Sequence, residues 1–164
     1  MANECQPLDH TVEPSPKSLA EIDSFHAMGD KLGTAGQPTQ EQFQIIRAAG
    51  FEAVINLALP TSDNAMVNEG SVVTGLGMSY VHIPVDFKAP AARDFGVFCR
   101  VMEAFDGRPV FVHCAANMRV SVFVFLYRIL RQGVSPADAE RDLHAIWKPD
   151  EVWGRFIREQ MESR

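Results

Sequence analysis

The segment Pro109-Val110-Phe111-Val112-His113 constrains the fold most. An unbroken apolar run of this length suits a strand covered on both faces, as in a parallel sheet. Soon after it, residues 120–130 are apolar nearly all round, so they read as a buried central helix that Gly133 stops. A core strand feeding a core helix is the repeating unit of an open α/β sheet. In such sheets, sites lie beyond the carboxyl ends of the strands. Residues 53–58 and 79–84 also read as strands, and a shorter one is expected near residues 25–32.

Start and stop signals delimit further helices. Thr39 with Gln42 forms a capping box, and Gly50 ends that helix. Residues 91–105 carry helical spacing and stop at Gly107. Ser135-Pro136-Ala137-Asp138 opens another helix, with Ser as cap and Pro in the first turn. A last helix is expected over residues 150–162. Strands alternating with helices predict one α/β domain over residues 19–164: a central, mostly parallel sheet of four or five strands flanked by helices. Residues 1–18, with Pro7, Pro14 and Pro16, read as a flexible tail.

A chain of 164 residues with 46% apolar content can bury a core without a metal or disulfide. Net charge is −6 and the few Lys and Arg are scattered, so nucleic acid is not an expected partner. No run of 18 apolar residues exists, so no membrane partner is expected either. The cysteines, Cys5, Cys99 and Cys114, are odd in number and widely spaced, which indicates neither a zinc site nor a disulfide framework. Cys99 falls in a helical pattern and reads as a small buried thiol. His10, His26, His82 and His144 have no metal-ligand spacing, and no metal or cofactor is expected. A reducing, cytoplasmic setting is the default; a periplasmic one would follow from a removed signal peptide.

The chemistry concentrates in His113-Cys114-Ala115-Ala116-Asn117-Met118-Arg119-Val120-Ser121, which leaves the core strand and enters the buried helix. A cysteine there faces free N–H groups and the positive end of a helix dipole. That setting lowers a thiol pKa and makes a nucleophilic thiolate. Arg119 lies where the loop can present its guanidinium fork to an oxyanion. Attack by the thiolate that expels an oxygen leaving group further needs a proton donor for that oxygen. Asp86, in a loop between a strand end and a helix, is the first candidate, and Asp94 is the fallback.

This segment resembles the His-Cys-x-x-Gly-x-x-Arg-Ser/Thr signature of protein tyrosine and dual-specificity phosphatases. Gly36-Gln37-Pro38-Thr39, Ala49-Gly50-Phe51 and Val54-Ile55-Asn56-Leu57 are similar to a bacterial branch of that superfamily, itself similar to the leading domain of beta-lactamase-hydrolase-like fusion proteins. The resemblance implies a phosphomonoester hydrolase acting through a phosphocysteine, with a phosphorylated protein or small molecule as substrate. It implies that inorganic phosphate or sulfate also enters the site. It further implies Cys114 as nucleophile, Arg119 and the N–H groups of Ala115, Ala116, Asn117 and Met118 as phosphate ligands, and Asp86 as acid, placed where relatives carry their acid loop. His113 is implied to orient the loop, and Ser121 to donate to the departing thiolate; a buried structural histidine and an ordinary helix-start serine are the alternatives.

The signature places five residues between Cys and Arg, whereas this chain has four. Aligned without a gap, Asn117 falls on the family's Gly and Val120 on its Arg. Asn tolerates a left-handed backbone, but Val cannot bind phosphate. A shortened loop with Arg119 turned inward is the expectation. The loop length also resembles rhodanese-type sulfurtransferases, and a catalytically weak oxyanion binder is a third reading. Trp147-Lys148-Pro149-Asp150 mimics a tyrosine-phosphatase acid loop but follows the cysteine, so it reads as a helix junction with Trp147 buried.

Overall fold

The computed structural model describes residues 18–163; most of the expected tail lies outside the described residues. A 3-10 turn, Leu19–Glu21, leads into a five-stranded sheet and six helices. In chain order these are β1 (His26–Ala27), β2 (Leu32–Ala35), α1 (Gln40–Ala48), β3 (Ala53–Asn56), α2 (Glu69–Gly75), β4 (Ser79–His82), α3 (Ala92–Ala104), β5 (Val110–His113), α4 (Met118–Leu130), α5 (Pro136–Ile146) and α6 (Glu151–Glu162). The strand order is β1-β2-β5-β3-β4, with only β1 antiparallel to its neighbour. The mostly parallel α/β sheet is therefore as the sequence predicts.

The unbroken apolar run of β5 has its expected cause. All four of its residues are buried, and they lie between β2 and β3. Alternate side chains enter two cores. Val110 and Val112 point to the side covered by α3, α4 and α6, and Phe111 to the side covered by α1. Phe123 of α4 anchors the first core with rings of Phe95, Phe98, Trp153 and Phe156 around it. Each such ring contributes about 1.5–3 kcal/mol of burial energy.

Local chemistry sets the helix ends. Thr39 Oγ1 accepts from Gln42 N (3.2 Å) and Gln42 Oε1 from Thr39 N (2.9 Å), completing the capping box. Ser135 caps α5, and Asp150 caps α6 by accepting from Trp153 N. Trp147 sits at the α5–α6 junction as expected, but it is half-buried, packed on Phe87 and Trp153.

Two expectations are corrected, and one helix was unforeseen. The strand sought near residues 25–32 is only His26–Ala27; the main strand is Leu32–Ala35, which Gly33 disguises. A Cβ at Gly33 would meet the Phe51 ring at 2.9 Å, so close ring packing demands the glycine. Helix α4 starts at Met118, two residues early, because Asn117 takes a left-handed turn (φ 62°) immediately before it. Helix α2 has no counterpart in the sequence reading. It is short, holds two glycines and β-branched Val72, Val73 and Thr74, and so has weak intrinsic propensity. Gly70 packs closely there, since a Cβ would lie 3.1 Å from the Tyr80 ring.

Candidate active site

The parallel register puts Ala35, His113, Asn56 and His82 side by side at the carboxyl edge of the sheet. Cys114 is the next residue along the central strand and is buried. Residues 114–117 then turn into the N-terminus of α4, a thirteen-residue helix. The N–H groups of Ala115, Met118 and Arg119 have no protein acceptor among the described residues. Free amides and the helix dipole thus meet beside the thiol.

Arg119 lies in the first turn of α4 and is only 8% exposed. Its guanidinium carbon sits 5.6 Å from the centre of the Phe87 ring, a cation–π contact. Its Nε is buried with no protein partner among the described residues. Arg119, Cys114, Ala115, Ala116, Met118 and Phe87 line one pocket of about 150 Å³. The shortened loop therefore turns the arginine inward, while Val120 is fully buried in the core.

Asn117 does more than tolerate its backbone angle. Its buried side chain donates through Nδ2 to Ser24 O (2.8 Å) and Thr34 Oγ1 (3.0 Å), tying the loop to β2 and the segment before it. The Ala115 carbonyl accepts from Gln37 N (3.3 Å) and from Asn64 Nδ2 (3.0 Å). Gly36 forms a bridge with Ala116, and a Cβ there would clash with Asp23 at 2.6 Å. Gly36-Gln37 and the 58–68 loop thus clasp the 114–117 loop from two sides.

Asp86 is exposed and does not line the pocket. Its Oδ1 accepts from Lys88 N (2.8 Å). The next residue, Phe87, forms the pocket wall and is pinned between the Trp147 and Trp153 rings. Trp153 Nε1 also donates to the Phe87 carbonyl (2.9 Å). Asp86 thus hangs one residue from the wall on an anchored segment. Ser121 Oγ donates to Met118 O (2.9 Å) and accepts from Trp147 Nε1 (3.0 Å), so its proton goes to the backbone in this arrangement. Cys99 and Cys114 are both free thiols. Asp150 is occupied as the α6 cap, and Asp94 stands in the first turn of α3.

A buried polar network behind the loop escaped the sequence reading. His113 is fully buried, and its Nε2 lies 2.6 Å from Glu69 Oε1. Glu69 also accepts from Gln37 Nε2 (2.6 Å) and Asn56 Nδ2 (3.2 Å). Asn56 donates as well to the Tyr80 hydroxyl (3.1 Å). Burial works to raise the Glu69 pKa, but the bonds from His113 and Gln37 outweigh it and hold the carboxyl below its ordinary 4.5. Burial, with the Glu69 charge beside it, pushes the Tyr80 hydroxyl up to about 12.

A carboxyl with a lowered folded-state pKa lends stability above its unfolded value, which is lost as pH falls through the folded one. Calorimetric unfolding between about pH 3 and 7 should therefore show stability dropping below the ordinary 4.5, and a shallower acid slope in Glu69→Gln. Identical slopes in the two proteins would contradict this account of the network.

Comparisons with known proteins agree with this geometry. Residues 23–151 match the family described as DSP-PTPase phosphatase fused to NAD+ kinase. The beta-lactamase hydrolase-like protein of Agrobacterium fabrum is 30% identical over 117 residues, 69% of this chain and 27% of that protein. The chain thus spans about a quarter of that curated relative's length. A crystal structure of a DUF442 protein from Shewanella putrefaciens CN-32, provisionally named a phosphatase, superposes with a TM-score of 0.79. It is 32% identical, covering 88% of this chain and 95% of that one. The structure of Tk-PTP in its active form shares the fold at 18% identity and a TM-score of 0.72, over 86% and 98% of the two chains.

Proposed function

Since the chain belongs to the DSP-PTPase family of phosphatases, we propose that it hydrolyses phosphate monoesters in two steps through a phosphocysteine at Cys114. The observation that carries this reading is the buried Nε of Arg119, without a partner among the described residues, in the pocket that Cys114 also lines. A buried donor without an acceptor costs about 1–3 kcal/mol, and a bound oxyanion removes that cost.

Cys114 ionises and its thiolate attacks phosphorus while the ester P–O bond breaks. Asp86 delivers a proton to the departing oxygen. The free N–H groups of the loop and the Arg119 fork stabilise the charge on the equatorial oxygens. Water then attacks the phosphocysteine, Asp86 takes its proton, and the P–S bond breaks to return thiolate and inorganic phosphate. His113 orients the loop, and Ser121 steadies its helical end. Asn117 supplies the left-handed turn that lets a loop one residue short close around the anion.

Paired substrates test this reading. Asp86→Asn should slow phenyl phosphate turnover by about 10²–10⁴-fold, and p-nitrophenyl phosphate turnover less, because the better leaving group needs less protonation. Equal rates for parent and variant on phenyl phosphate would remove Asp86 from the acid role. Thiocyanate production from thiosulfate and cyanide, without phosphate release from either ester, would replace the hydrolase with a sulfurtransferase.

A further inference from the structure

Trp147-Lys148-Pro149-Asp150 has no part in the chemistry above, yet it builds a brace against the segment that carries Asp86. Asp150 caps α6 by accepting from Trp153 N (3.0 Å), which sets Trp153 in the first turn of that helix. Trp147 closes α5. The two indoles meet edge to face with centres 6.4 Å apart, and the Phe87 ring packs on both, at 5.8 Å and 5.6 Å. Trp147 Nε1 donates to Ser121 Oγ of α4 (3.0 Å), and Trp153 Nε1 reaches 66 residues back to the Phe87 carbonyl (2.9 Å). Trp153 is fully buried, so its N–H needs an acceptor, and that carbonyl is the one it has. The carbonyl belongs to the residue after Asp86. Asp86 Oδ1 accepts from Lys88 N, and Asp86 O from Ala89 N (3.3 Å), so residues 86–89 close one bend.

Resting on the hydrolase reading, with Asp86 as its acid, we propose that Trp153 is a positioning residue for the proton donor: its indole N–H holds the 86–89 bend in the orientation from which Asp86 reaches the leaving oxygen. Grip on the anion and protonation of the leaving group then have separate supports. Ring packing keeps Phe87 over the Arg119 guanidinium, 5.6 Å from its centre. A single hydrogen bond from α6 aims the peptide that follows Asp86. Trp153→Phe keeps an aromatic ring beside Phe87 but removes the donor, which leaves the Phe87 carbonyl free to turn and carry Asp86 with it.

The test compares phenyl phosphate, whose leaving group needs the proton, with p-nitrophenyl phosphate, whose leaving group needs it less. In Trp153→Phe, kcat/KM for phenyl phosphate should fall about 10–100-fold, the scale of a misplacement near 1 Å. The loss on p-nitrophenyl phosphate should be about threefold or less, and vanadate affinity should stay at the parent's. On an Asp86→Asn background the same change should cost phenyl phosphate turnover nothing further, because no acid is left to position. Equal losses on both esters with weaker vanadate binding would mark a merely structural role and overturn the proposal. An unchanged phenyl phosphate rate, or the full loss repeated on the Asp86→Asn background, would overturn it too. If Trp153→Phe does not fold, benzothienylalanine at 153, which keeps the indole's shape and puts sulfur in place of the N–H, gives the same readouts without a cavity. Failure of the underlying reading shows separately: a parent inert toward both esters, or Asp86→Asn as fast as the parent on phenyl phosphate, removes the hydrolase or its acid whatever stands at 153, and this proposal with it.

Discussion

Cys114→Ser is expected to hydrolyse p-nitrophenyl phosphate at less than about one ten-thousandth of the parent rate. A serine hydroxyl fills nearly the same space but stays protonated at neutral pH, so no anionic nucleophile forms. The residue is buried and its side chain small, which keeps the thermal transition close to the parent's. Loss of rate without loss of fold is the required pattern. Turnover within tenfold of the parent would mean that the sulfur at 114 does not attack phosphorus.

Arg119 carries the second large effect. Lysine keeps the charge but loses both the bidentate fork and the flat face that lies over Phe87. Arg119→Lys is expected to lower kcat/KM by about 10²–10³-fold, the size of effect seen when one pre-placed donor is removed from a developing anion. Vanadate, which mimics the five-coordinate phosphorus, should lose affinity in parallel. Unchanged kcat/KM and vanadate affinity in Arg119→Lys would show that the guanidinium does not touch the transferred group.

The centre of this fold was legible because its signals are local. The apolar run of β5, the all-round apolarity of α4 and the caps of α1 and α5 each lie within a few consecutive residues. The inward turn of Arg119 followed from the same stretch, since Asn117 could supply the left-handed step a shortened loop needs. What stayed hidden depends on distant partners. Glu69 meets His113 across 44 residues of sequence, and Asn64 meets Ala115 across 51. Nothing in a weakly helical Glu-Gly-Ser-Val-Val-Thr-Gly announces a buried carboxylate. Strand β2 was misplaced because Gly33 breaks the alternation that marks a strand, and the rings of Phe51 and Phe111 explain that glycine. Asp86 was named from its loop alone; it stands next to Phe87 of the pocket wall, but its carboxylate is exposed and accepts from Lys88 N, an orientation a sequence does not give.

Crystals of the parent grown with tungstate would examine the site itself. A tetrahedral anion should sit with its metal about 3–4 Å from the Cys114 sulfur, gripped by the Arg119 guanidinium and the amides of the 115–119 loop. Tungstate bound elsewhere, with the guanidinium turned away from the thiol, would contradict the claim that this six-residue turn holds a phosphoryl group.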